Sequence, residues 1–156
     1  ISHVTETITI MEFDKEFLDG LLEQAVSNPR LRQNFDLRTS PDDTSQRMLN
    51  ALLPGTVVPI HQHKDTTETV ICLCGSLDEV IYEEVVSYEN DGTDDFRRGM
   101  NAQDTVRKVG YREVRRIRLN PSESRYGCQI PKGAWHTVEV FEPSVIFEAK
   151  DGAYVR

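Results

Sequence analysis

The 156-residue sequence has no apolar run approaching the roughly 20 residues that a membrane-spanning helix needs, which excludes a helical span. No signal-peptide pattern is visible, so the expected location is the cytoplasm. Cysteine is scarce and odd in number, three in all, which fits a reducing compartment better than a disulfide framework. Positive charge is also short. Eighteen Lys and Arg against 26 Asp and Glu leave a net charge of −8, which opposes non-specific binding to nucleic acid or an anionic membrane. It does not oppose a small anionic substrate, because a pocket can be locally basic. What remains, 38% hydrophobic and 28% charged residues, is the balance of a soluble globular chain of single-domain size.

Histidine is the scarcity that points somewhere. The chain has four, and three of them fall in two short stretches. In Gly55-Thr-Val-Val-Pro-Ile-His61-Gln-His63, the two imidazoles are two residues apart, so on a strand they point the same way. Lys64 to Thr67 form a short polar connection, after which Glu68 opens the β-rich run Thr69 to Leu73. Pairing back as a β-hairpin, this run would bring a carboxylate to the two imidazoles. Two His and a carboxylate can hold a divalent metal and leave positions open for substrate. The second stretch, Ile130-Pro-Lys-Gly133-Ala-Trp-His136, reads as a tight turn leading into a strand that carries a fourth candidate ligand. A lone His-x-His is more often a pair of polar residues on a solvated strand. Glu68 five residues on, a Gly at each end and the later Pro-x-Gly-x-x-His argue against that here.

Gly55 to Gly75 resembles the first cupin motif, G-x5-H-x-H-x4-E-x6-G, at every specified position. The second motif, G-x5-P-x-G-x2-H-x3-N, is matched by Pro131, Gly133 and His136, while Arg125 and Val140 stand where it has Gly and Asn. The resemblance implies an all-β fold, a cupin double-stranded β-helix or small barrel with one N-terminal α-helix. It also implies one interior divalent metal (Fe, Mn, Ni or Zn) held by His61, His63, Glu68 and His136. A narrower likeness to WbuC-type cupins runs through the N-terminal helix, Ser45 to Leu52 and Val145 to Tyr154. It implies a bacterial protein associated with surface-polysaccharide biosynthesis, and cupins often pair into homodimers.

Taken in order, the chain reads as one domain over 1–156, with a strand, helix and linker in 1–45 and a barrel in 46–150. Val4, Ile8 and Ile10 among threonines suggest a short first strand. Asp14 is a helix N-cap, Phe13 and Leu18 are placed for a hydrophobic staple, and apolar residues at three- and four-residue steps predict a helix over 15–27 on the outside of the barrel. Asn28-Pro29 ends it. Arg30, Arg32 and Arg38 follow in an otherwise acidic protein. They suit an anionic group, although a solvated linker paired with nearby acids explains them as well. Gln46 to Leu53 reads as a strand whose Gln46, Arg47 and Asn50 face either solvent or the pocket. Residues 83–110 are acidic and turn-rich and exceed the expected spacing between the motifs. They read as an insertion, an extended hairpin with its tip at Asn90-Asp91-Gly92, or a lid. The arginines of Tyr111 to Leu119 suit a solvated edge strand.

Strand parity completes the pocket. If Glu68 faces inward, so do Val70, Cys72 and Cys74, while Val138 and Val140 share the parity of His136. Phe147 and Glu148 fall on opposite faces, which makes Glu148 a candidate pocket carboxylate alongside Gln46, with Tyr154 at the rim. Three imidazoles and one carboxylate around a metal are compatible with an isomerase, an epimerase or an oxygenase acting on a small polar, sugar-derived or carboxylated substrate, and equally with a non-catalytic binding module.

Overall fold

The computed structural model describes residues 7–90 and 105–152. Its helix α1 spans Lys15–Ser27, and six strands follow: β1 Arg32–Asp36, β2 Ser45–Leu52, β3 Glu68–Asn90, β4 Thr105–Leu119, β5 Gly127–Ile130 and β6 Trp135–Asp151. The expected all-β fold with one N-terminal helix is what the sequence forms.

The architecture follows from two long strands that bend together. β3 and β6 pair antiparallel from Glu68 opposite Lys150 to Tyr82 opposite Trp135, with register shifts between Cys72 and Leu77. Before the bend, β3 is flanked by β5 and β6 by β2, with β1 outside β2. After it, β3 is flanked by β4, and the other side of β6 bridges His61. Each long strand therefore belongs to two half-sheets. The apolar residues of both pack into one cluster, Leu52, Val70, Ile130 and Ile146 from the first with Leu77, Leu119 and Val140 from the second. Gly75 makes the bend. It has φ +93°, and a Cβ there would lie 2.3 Å from both the Pro143 carbonyl oxygen and Ser144 Oγ. Only glycine allows β3 to pass that close to β6.

The outer face of the first half-sheet carries the helix. Asp14 caps it, its carboxylate accepting from the Phe17 N–H at 2.9 Å. Leu21 and Ala25 then pack against Leu49, Ala51 and Val145. Complete burial of a leucine of this kind contributes about 1.5–3 kcal/mol. Phe13 meets Phe17, ring centroids 5.5 Å apart, as the chain enters the helix. Along β6, Val145 and Phe147 face the helix, so Ile146 and Glu148 face the interior, the period-2 alternation expected of a strand.

Two elements differ from the sequence reading. Of the strand expected from Val4, Ile8 and Ile10, Val4 lies outside the described residues, and residues 7–10 form no strand, with Ile8 86% exposed, because no described strand lies alongside to pair with them. The Arg30–Arg38 stretch is largely strand, its Arg32–Asp36 segment pairing with β2 at one edge of the sheet. The described ends of segment 83–110 agree with the extended-hairpin reading, forming an antiparallel ladder from Glu83 opposite Arg112 to Asn90 opposite Thr105. The turn expected at Asp91-Gly92 lies outside the described residues. At the other edge, β4 carries its arginines as the edge-strand reading required: Arg118 meets Asp78 at 2.6 Å, and Arg116 reaches Asp78, Glu113 and Glu139.

Candidate metal centre

The two histidines of the first motif are held in place by the second motif. Residues 56–60 join no strand, and the chain is fixed by backbone bonds around His136. The His61 N–H donates to the His136 carbonyl at 3.0 Å, the His136 N–H to that of His61 at 2.8 Å, and the Gly133 N–H to that of His63 at 2.7 Å. Thr137 Oγ1 donates to the Val58 carbonyl at 2.5 Å. The predicted hairpin between this segment and the Glu68 run is thereby corrected, since both edges of β3 there are already occupied by β5 and β6. Glu68 reaches the histidines from the facing half-sheet instead.

One ligand atom from each of His61, His63, Glu68 and His136 lies within 4.8 Å of the others. Glu68 Oε2 is 2.9 Å from His63 Nε2 and 3.4 Å from His136 Nε2. The second ring nitrogen decides what these atoms offer. Nδ1 of His61 lies 2.8 Å from the Pro59 carbonyl, and Nδ1 of His136 lies 2.9 Å from that of Ala134. A carbonyl only accepts, so in a neutral ring Nδ1 carries the proton and Nε2 presents a lone pair. The buried Nε2 atoms of His63 and His136 and Oε2 of Glu68 have no well-formed hydrogen bond despite their proximity. Buried acceptors converging in this way are unfavourable unless a cation lies among them. A three-His, one-Glu donor set therefore fits a divalent metal.

The electrostatics point the same way. Burial lowers the affinity of His61 for a proton, and the neighbouring imidazoles of His136 and His63 oppose its charging, while the Pro59 carbonyl acts in the opposite sense. Burial would push the Glu68 carboxyl up. The imidazoles of His136 and His63 and the Lys150 ammonium outweigh it and hold the group well below the usual carboxylate range. The site is thus biased towards a neutral His61 imidazole and an ionised Glu68 carboxylate, the protonation states in which these groups bind metal.

A cavity of about 370 Å³ opens on these ligands, with His61, Glu68 and His136 in its lining. Glu148 lines it too, as the alternation along β6 predicted. Its carboxylate accepts from Asn50 Nδ2 at 3.0 Å, and its remaining exposure is to the cavity. Burial and then the Glu68 charge push its pKa up to about 8. Arg30 and Arg32 line the same cavity, and neither has a carboxylate partner among the described residues. Among the described residues, the Arg32 guanidinium donates to the Val57 carbonyl at 3.0 Å. Arg38 and Gln46 are placed elsewhere, in a separate depression beside Asp36 and Met48. There Arg38 pairs with Asp36 at 2.9 Å and Gln46 Nε2 donates to the Gly152 carbonyl at 3.0 Å. Cys72 faces the core with Val70, but Cys74 packs among the residues beneath the helix, because the register shift after Cys72 reverses the parity. Tyr154 lies outside the described residues.

Sequence reasoning missed Glu79. It is 1% exposed, lines the cavity, and its Oε2 has no hydrogen-bond partner. Parity counted from Glu68 puts position 79 on the wrong face, and the bend at Gly75 restores it to the right one. The adjacent carboxylates Asp78 and Glu79 within Leu77 to Ile81 were the signal available, because on a strand neighbouring side chains point to opposite faces.

Two half-sheets sharing bent strands, with a three-His, one-Glu cluster between them, define a cupin-type fold. More narrowly, the chain belongs to the family described as "Domain of unknown function (DUF6016)", which matches residues 13–91 and so includes His61, His63 and Glu68. No curated protein matches the sequence. Among solved structures, KdgF from Halomonas sp. is similar at 15% identity over 81% of this chain and 83% of that one, with a TM-score of 0.48. E. coli ycfD is similar at 16% identity over 90% of this chain and 31% of its own, TM-score 0.47. Oxalate oxidase in complex with the substrate analogue glycolate shares 16% identity over 81% of this chain and 53% of its own, TM-score 0.46. At such identities these likenesses assign no activity.

Proposed function

We propose that this protein is a metal-dependent enzyme that holds one divalent ion through His61, His63, Glu68 and His136 and acts on a small polar, anionic substrate. The observation that carries the reading is the trio of buried, converging atoms without a well-formed hydrogen bond, Nε2 of His63, Nε2 of His136 and Oε2 of Glu68. A metal there would polarise a carbonyl or hydroxyl oxygen and lower the pKa of a bound water. Arg30 and Arg32 would hold the anionic end of the substrate, since guanidinium forks suit carboxylate and phosphate. Glu148, fixed by Asn50, would hold or give up a proton beside the metal. An ionisable group in the same cavity favours chemistry over a non-catalytic binding module, for which a sealed apolar interior would suffice. Isomerisation or epimerisation of a sugar-derived substrate agrees with this lining, and the WbuC-type likeness makes surface-polysaccharide biosynthesis the pathway to examine.

Elemental analysis of protein purified without added metal or chelator tests the reading against a His61→Ala/His63→Ala variant. About one ion per chain in the parent, lost in a variant that keeps its fold, is the expected result. Negligible metal in the parent even after reconstitution would overturn it.

A further inference from the structure

A buried carboxyl with an unpartnered oxygen is costly, and Glu79 is one that the four-ligand cluster does not use. β3 places it opposite Val138, and Val138 is the next inward residue after His136 on β6, so Glu79 faces the cavity one side-chain step from a metal ligand. No described cation pairs with it. Its surroundings are the carboxyls of Glu68 and Glu148, and burial first, then these two charges, push its pKa well above the usual range. Its protonated form is thereby favoured, and that form has one O–H to give and oxygen lone pairs to receive. At the β1 end of the same cavity stand Arg30 and Arg32, close enough for the charge of the first to oppose that of the second. The cavity thus has an anion-seeking end and an end that seeks a group able both to donate and to accept. A hydroxyl has that property, and a methylene does not.

We propose that Glu79 is a specificity-determining residue that hydrogen-bonds a ligand hydroxyl, and that the cavity takes a small polyhydroxylated carboxylate whose anionic group faces Arg30 and Arg32. This rests on the metal-dependent reading above and adds to it the substrate class and the residue that reads it. A ligand lacking hydroxyls would leave the Glu79 oxygen unsatisfied inside the protein, so discrimination comes mainly from rejection of the deoxygenated analogue.

Calorimetric titration of the metal-loaded full chain with D-gluconate and with hexanoate tests this, because the two have equal carbon chains and one carboxylate each and differ in their hydroxyls. The parent is expected to bind gluconate at least about tenfold more tightly than hexanoate. Glu79→Leu should bring that ratio close to one by weakening gluconate alone, and Glu79→Gln, which keeps a donor and an acceptor, should retain most of it. Arg30→Ala/Arg32→Ala should weaken both ligands together. Equal affinities in the parent, or no binding of either, would overturn the ligand class. An unchanged ratio in a folded Glu79→Leu would overturn the role of Glu79. Should that variant fail to fold, a gluconate complex of the parent with no hydroxyl within hydrogen-bond distance of Glu79 would overturn it instead. Metal content measured on each sample keeps these outcomes distinct from a failure of the metal centre itself.

Discussion

The two ends of β3 carry the same residue type to opposite effect. At its start, Glu68 is enclosed by β5, β6 and three imidazoles, and a deep bias in protonation results. At its far end, Glu83, Glu84 and Glu89 sit in a two-stranded ladder opposite the basic side chains of β4, pair with Arg112, Arg107 and Lys108, and remain largely in solvent. The number of opposite charges near each carboxylate is similar, but the dielectric around them is not. Coulomb interactions at 3–4 Å are several-fold stronger where water is excluded, and charges left in water are screened. At the cavity end a charge is therefore strongly felt by its neighbours, whereas at the ladder end charge serves to keep an exposed edge in water.

The largest expected effect lies at the bend that separates the two ends. Gly75→Ala would force a Cβ to within 2.3 Å of the Pro143 carbonyl oxygen at a backbone φ of +93°, whereas Gly110 in the ladder has only the Val85 carbonyl oxygen nearby, at 3.9 Å. Gly75→Ala should destabilise by about 3 kcal/mol or more, combining backbone strain with overpacking. Gly110→Ala should shift stability by under about 1 kcal/mol, with either sign. Urea unfolding of both variants checks this. A mild Gly75→Ala would mean that the strands can separate at the bend without loss, and the close approach of β3 to β6 would not be what positions the site.

Much of the centre was legible because metal ligands must recur at spacings the backbone imposes. His61 and His63 share a face, Glu68 starts a strand, and His136 follows a Pro-x-Gly turn, and all four arrive at one point. The helix was legible for a similar reason, its apolar period and its Asp14 cap being local. What sequence could not supply depends on long-range pairing. It did not show that the His segment lies against β6, because that choice is set by which strand edges remain free. Parity failed beyond Cys72 because a bulge inserts residues without changing composition, which moved Cys74 outward and Glu79 inward. Of three arginines in one stretch, Arg30 and Arg32 reach the cavity, whereas Arg38, past the end of β1, turns back to Asp36. No pattern in the residues themselves makes that distinction.

A medium effect concerns pH. In metal-free protein, Glu148 titrates near 8, raised by burial and by Glu68 and opposed by Lys150, against about 4.3 in an unfolded chain. Between those values the folded state keeps a proton that the unfolded state has lost, so stability should fall as pH rises from about 4.5 to 8. Glu79, facing the same charges, acts in the same direction. Glu148→Gln should flatten the decline without abolishing it, as measured by thermal melting across that range in the presence of chelator. Parallel melting curves for parent and variant would show that Glu148 is ionised in the folded protein, and its place as a proton carrier would be lost.

The smallest effect belongs to the ladder. Arg107 and Glu84 stand 3.9 Å apart with side chains 61% and 36% exposed, so little of either charge is withdrawn from water. Such pairs contribute roughly 0–1 kcal/mol, and the entropy of holding two long side chains together offsets most of the attraction. Glu84→Gln is therefore expected to change the unfolding free energy by less than about 0.5 kcal/mol at moderate salt and by less still at 1 M, where the Debye length is about 3 Å. A loss of several times that size, insensitive to salt, would place Glu84 in a desolvated contact. The contrast between the two ends of β3 would then be one of partner and no longer one of solvent.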